Sequence, residues 1–256
     1  MTSTVAEHVV VLGAGPGLGL AVARRFGREG FAVTLVARHE PDLAALAREL
    51  RAARVRVDTV AADVAEPHGF RAALEALAPR APGVVVYNAA VTAPDGILTS
   101  DVDHLLATHA VDVVGAVTAA QVFTPAMRRA RRGTFLATGG HPSVAPLPRY
   151  ATLSLGKAGL RAAVSLLHDE LAADGVHVAG ITIGGAITAG GALDPGRIAE
   201  TYWSLHTQPT VEWSAETHLD GPEETDAARP LGRGRGALLP RGEDGRPAGG
   251  GGIPRA

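Results

Sequence analysis

Two rhythms of hydrophobic and polar positions alternate along this chain. Short apolar runs rich in β-branched residues occur at 9–12, 31–37, 55–60, 84–86, 133–138 and 175–183. Most are apolar nearly throughout, so they read as strands buried on both faces. Between them, large apolar residues recur every three or four positions, the period of a helix with one buried face. Leu20, Val22 and Phe26 mark the first helix, Leu43, Leu46 and Leu50 one over 41–53, and Phe70, Leu74 and Leu77 one over 67–78. Longer helical stretches follow at 101–127 and from 149 or 150 to 173. Strand and helix in strict alternation predict a single α/β domain: a doubly wound parallel β-sheet flanked by helices on both faces.

The first strand runs into Gly13-Ala14-Gly15-Pro16-Gly17-Leu18-Gly19. Glycine lets the backbone turn sharply and lets a ligand approach the main chain. The helix that starts there presents free N–H groups and a positive dipole end, which suits a pyrophosphate. A tight turn that binds nothing is the alternative at this stage. The glycines fit Gly13-x-x-x-Gly17-x-Gly19 better than the usual dinucleotide fingerprint, whose third glycine would fall on Leu18.

This spacing resembles the short-chain dehydrogenase/reductase family, single-domain Rossmann enzymes that use NAD or NADP. Three further motifs match in order: Asp63-Val64 after the third strand, Asn88-Ala89-Ala90 at the end of the fourth, and Lys157 in Gly156-Lys157-Ala158. The resemblance covers about residues 8–190. It implies cofactor contacts from Gly13, Gly15, Gly17, Leu18, Gly19, Asp63, Val64, Asn88, Ala89 and Lys157. Where NAD-preferring members carry Asp, this chain has Ala37, followed by Arg38. A carboxylate there would repel a 2′-phosphate, whereas a guanidinium fork suits one. The expectation is NADP, with NADPH preferred over NADH, unless Arg38 is merely a solvated charge.

The same alignment of motifs puts Leu153 at the family's catalytic Tyr, Gly140 at its Ser and Asp112 at its Asn. Of the catalytic group Lys157 alone remains. Another proton donor is then needed, and Tyr150 and His141 are the candidates, with Thr138 and Ser143 nearby. Tyr150 precedes Lys157 by about two turns, roughly 10 Å along a helix, so a direct Tyr–Lys contact is not expected. Both residues have plainer readings, as a helix opener and a polar loop residue. The expected function is an NADP(H)-dependent oxidoreductase acting on a small carbonyl or hydroxy compound. A catalytically inactive relative that senses NADP(H) or binds a partner is the alternative, and a non-redox enzyme using the old pocket has no positive support.

Residues 188–213 correspond to the family's substrate loop. Asp194-Pro195-Gly196 reads as a helix start, with Ile198, Tyr202 and Leu205 on one face. Trp203, His206 and Trp213 form either an aromatic lid or plain packing against the sheet.

The rest of the composition narrows the picture. A net charge of −2 gives no pull toward nucleic acid or acidic membranes. Without cysteine there is neither a disulfide framework nor a thiolate zinc site, and no metal is expected. No apolar run reaches the length of a membrane span and residues 1–8 lack a signal peptide's pattern, so the expectation is a soluble cytoplasmic protein. Residues 220–256 are rich in Gly, Pro and Arg and poor in large apolar groups, which marks them as a disordered tail after a domain over 1–219. No convincing copy of the strand and helix with which family members often end is found in this segment. The resemblance implies a homodimer through the helices around 111–121 and Lys157, with Gly115, Ala116, Ala119 and Ala120 permitting close approach.

Overall fold

The computed structural model describes residues 5–221; residues 222–256, nearly all of the expected tail, lie outside the described residues. Among the described residues, seven strands run in chain order as β1 (Ala6–Leu12), β2 (Ala32–Ala37), β3 (Val57–Ala61), β4 (Pro82–Tyr87), β5 (Gly133–Thr138), β6 (Val176–Ile183) and β7 (Glu216–Leu219). The helices are α1 (Leu18–Arg28), α2 (Glu40–Ala52), α3 (Pro67–Leu77), α4 (Val102–His109), α5 (Gly115–Ala130), α6 (Ala151–Leu171) and α7 (Pro195–Thr207). All strand pairs are parallel and the sheet order is β3-β2-β1-β4-β5-β6-β7. The order reverses between β1 and β4, where a doubly wound sheet opens a crevice at its carboxyl edge.

Side chains alternate between two cores, as the strand period of two requires. Val9, Val11, Val33, Leu35, Val84 and Val86 join α1, α2 and α7 on one face. Val10, Leu12, Val36, Val85 and Tyr87 join α3, α5 and α6 on the other. This double burial explains the apolar runs of the central strands.

The structure departs from the sequence expectation in three places. First, a final strand exists. β7 pairs with β6 from Gly180↔Glu216 to Ile183↔Leu219. It is a short, half-exposed edge strand, so it needs no apolar run. Glu216 anchors it, accepting from Thr182 Oγ1 at 2.6 Å and from Arg161 Nε at 2.9 Å.

Second, the helical stretch after residue 101 is interrupted by a π-turn, Ala110–Val114. The stretch Val102–Ala130 is, by length and composition, apolar enough to cross a membrane, contrary to the expectation that no such run exists. The helix layer accounts for this apolarity: Ala119, Ala120, Phe123 and Met127 are buried in the core.

Third, the small residues expected to bring two subunits together face inward. Gly115, Ala116, Ala119 and Ala120 are buried within the protomer, and a Cβ on Gly115 would collide with the Tyr87 hydroxyl.

Of the two readings of the aromatic residues, the structure shows packing and not a lid. Trp203 and His206 pack with Phe26 and Phe31, at the end of α1 and just before β2. Trp213 stacks on His177 at 4.7 Å, near the start of β6. All three stand at the amino edge of the sheet, away from the crevice, because α7 packs its apolar face along α1. Ile198, Tyr202 and Leu205 are buried as expected.

Candidate active site

A cleft of about 750 Å³ opens at the carboxyl edge of β1, β2 and β4. The turn Gly13–Pro16 forms its floor, and Arg38, Asp63, Val64, Asn88, Ala89 and Val91 are among its walls. The volume lies in the range of small-molecule and cofactor sites. Gly13 adopts a positive φ of 84°, and a Cβ there would press on the Ala89 amide. Only glycine lets β1 turn this close to the end of β4. Gly15 and Gly17, by contrast, have open space where a side chain would stand. Gly19 is buried, and a Cβ on it would come 3.1 Å from Ala14 Cα. Leu18 is buried in the core. Gly17 caps the start of α1, and Leu18 and Gly19 open the helix.

Asn88 ties the two turns together. Its Nδ2 donates to the Gly13 carbonyl at 2.9 Å, and its Oδ1 accepts from Thr138 Oγ1 at 2.8 Å. Asp63 accepts from the Ala65 amide at 2.9 Å, which fixes the turn after β3. Arg38 is exposed at the end of β2, on the cleft wall. His39 and Asp42 share that wall; sequence reasoning missed them, because only the packing of α2 brings its first turn to the cleft.

Lys157 is buried in α6, and its Nζ donates to the Thr138 carbonyl at 2.8 Å. Burial holds the ammonium below the ordinary lysine range, and the Asp112 carboxyl opposes that shift. Asp112 is itself fully buried in the π-turn, and burial raises its pKa to about 6 against the favourable charge of Lys157. Leu153 lies one turn before Lys157 and is buried; Gly140 is extended backbone after β5. His141 is exposed in the 3₁₀ turn His141–Ser143, and Tyr150 is the half-buried residue that opens α6. Neither lines the cleft of the glycine turn.

The start of α6 is fastened to the loop after β4. Asp95 accepts from the Thr152 hydroxyl and from the Thr152 amide at 3.2 Å, and contacts His104 Nε2 at 3.1 Å. This tether caps the helix that carries Lys157.

Residues 7–192 match the short chain dehydrogenase family description. The chain belongs to that family. Among its relatives, the very-long-chain 3-oxoacyl-CoA reductase of Podospora anserina is 29% identical over 175 residues, covering 66% of this chain and 52% of that one. The chain therefore spans about half the length of that curated relative. The protein named ketoacyl reductase 1 of the granaticin polyketide synthase in Streptomyces violaceoruber is 33% identical over 183 residues, covering 68% of this chain and 66% of that one. A metagenomic short-chain oxidoreductase solved in complex with NADP has a TM-score of 0.77 and 28% identity, covering 85% of this chain and 98% of that one.

Proposed function

We propose that the protein is an NADP(H)-dependent oxidoreductase that interconverts a small carbonyl compound and its alcohol. The observation that carries the reading is the cleft: a glycine turn with open space at Gly15 and Gly17, closed by Asn88, with the Arg38 guanidinium on its rim. The NADP-bound structural relative and the reductases among the sequence relatives support it. Their names make a 3-oxoacyl compound the first substrate to try.

In this reading the turn and the start of α1 hold the pyrophosphate, where backbone N–H groups favour an anion. Arg38 takes the 2′-phosphate, Asp63 and Val64 flank the adenine, and Asn88, Ala89 and Lys157 hold the nicotinamide end. The bound dinucleotide supplies or accepts hydride. Leu153 and Gly140 stand at the family's Tyr and Ser positions, so the proton comes from a different group; Tyr150 and His141 remain candidates. The reading includes a cytoplasmic homodimer, a domain that ends near residue 219 and a separate tail.

A cofactor-binding protein without turnover is the second reading, favoured by the lack of a hydroxyl at Leu153 and Gly140. One assay separates the two. NADPH absorbance is followed with a panel of 3-oxoacyl esters and simple ketones. Consumption coupled to alcohol product supports the reductase, and binding without consumption supports the second reading.

A further inference from the structure

Five large apolar side chains stand in solvent at the carboxyl edge of the sheet. Ile97 and Leu98 lie on the loop after β4, Val144 and Leu147 on the loop after β5, and Ile187 on the loop after β6. Leu98 is 95% exposed and the others 39–58%. β4, β5 and β6 are neighbours in a parallel sheet, so the three loops leave it at the same edge. The first loop continues the cofactor cleft, whose lining runs from Asn88 through Val91 and Thr92 to Ala93. None of the five lines the groove between α4 and α6 that holds Leu106 and Leu155. Single exposed apolar residues mean little, but a group of them at the end of a cleft marks a contact surface.

The backbone holds these side chains out. Ile97 and Leu98 are the middle residues of a turn whose Gly96 carbonyl accepts from the Thr99 and Ser100 amides at 3.0 and 2.9 Å. The Asp95 amide donates to the Arg149 carbonyl at 2.9 Å, and the Asp95 carboxylate accepts from the Thr152 amide, which joins the first loop to the second. Leu147 is fixed on both sides: its amide donates to Ser154 Oγ at 3.0 Å, and its carbonyl accepts from the Tyr150 amide at 2.9 Å. Pro94, Pro142, Pro146 and Pro148 restrict the same two loops further. Beside Ile187, the Thr188 amide donates to the carbonyl of buried Leu193 at 3.2 Å. Charge is scarce on this rim. The ionisable side chains of residues 92–98, 141–149 and 185–192 are Asp95, His141 and Arg149, and Asp95 is occupied by Thr152 and His104.

Resting on the reductase reading, we propose that these loops form an apolar mouth and that the substrate carries an aliphatic chain. The chain lies against Ile97, Leu98, Val144, Leu147 and Ile187, and the carbonyl stands at the Asn88 end of the cleft. A polyhydroxylated substrate is disfavoured, because hydroxyls taken from water need partners that these side chains do not offer. Contacts so far from the reacting carbon hold substrate and transition state alike, so they act on KM more than on kcat.

The test is a series of straight-chain methyl ketones, from butanone to decanone, with NADPH absorbance and secondary alcohol both measured. kcat/KM should rise about threefold to fourfold per added methylene, through KM with kcat little changed. Erythrulose, the trihydroxy analogue of butanone, should be no better than butanone. Ile97→Ser with Leu147→Ser should flatten the rise while butanone turnover and NADPH affinity stay as they are. A wild-type kcat/KM that ignores chain length, or erythrulose used better than the longer ketones, overturns the proposal. A rise that survives the double variant overturns it as well, and loss of a dimer in sedimentation would then make the patch a subunit contact. If no ketone is consumed, the reductase reading fails by itself. Calorimetry of the NADPH-loaded protein with the matching secondary alcohols then decides the mouth alone: affinity that climbs with chain length supports it, and a flat series overturns it.

Discussion

The side-chain amide of Asn88 holds the Gly13 carbonyl at 2.9 Å, joining the turns after β4 and β1. The same side chain accepts from Thr138, whose hydroxyl also meets the Tyr202 hydroxyl at 2.7 Å. The cleft floor is therefore braced from β1 to α7 by one chain of hydrogen bonds. Asn88→Ala leaves the Gly13 carbonyl without this donor and should cost about 1–3 kcal/mol. Urea unfolding should show that loss, and calorimetry should show weaker dinucleotide binding.

Two glycines in one turn should respond oppositely to substitution. Gly13→Ala forces a Cβ into the Ala89 backbone at a positive φ, so it should lower stability by roughly 2 kcal/mol or more. Gly17→Val meets open space, so the fold should survive while the side chain blocks the pyrophosphate. Thermal melts and NADPH titrations of both variants distinguish the effects.

Stability should fall on acidification. Burial lowers His8 and His206 to about 4, with Arg80 and Arg132 adding repulsion, and burial also lowers His177. Between about pH 6.5 and 4 the unfolded chain therefore binds more protons than the folded one, and the stability present above pH 6.5 is lost as pH drops. His8 and His206 each account for roughly 3 kcal/mol at most. Asp112, raised to about 6 by burial, works in the opposite direction and offsets about one of them. The net expectation is a lower Tm at pH 5 than at pH 7, with a shallower fall in His8→Gln, whose amide can keep the Thr34 contact.

The proposed dimer needs an apolar outer face, and α4 and α6 provide one. Leu106 and Leu155 line a shared groove, and each is more than half exposed. Leu106→Glu with Leu155→Glu should convert a dimer to a monomer in sedimentation at micromolar concentration. A wild-type monomer under the same conditions would remove the dimer from the account.

Much of the fold was legible because its signals are local. β1, the glycine turn and α1 follow one another within a short window, and Asp63, Asn88 and Lys157 carry spacings that survive without structure. β7 was not legible, since an edge strand held by Glu216 needs no apolar pattern. The π-turn around Asp112 leaves no compositional trace, because one extra residue in a helical turn does not change the apolar rhythm. Spacing showed that Gly115 and Ala119 share a helix with small residues, but not that the sheet would cover them. The types of Trp203 and Trp213 left lid and packing both open for the same reason, and only the docking of α7 on α1 decides for packing at the other edge.

The central claim is that the cleft beside Arg38 holds NADP(H). The direct measurement is calorimetric titration of the folded protein with NADPH and with NADH, repeated on Arg38→Asp. The account predicts that NADPH binds roughly tenfold or more tightly than NADH, since a charge-assisted contact is worth about 1.5–3 kcal/mol, and that Arg38→Asp reverses the order. Equal affinities in the wild type would contradict the role of Arg38, and no binding of either nucleotide would contradict the claim itself.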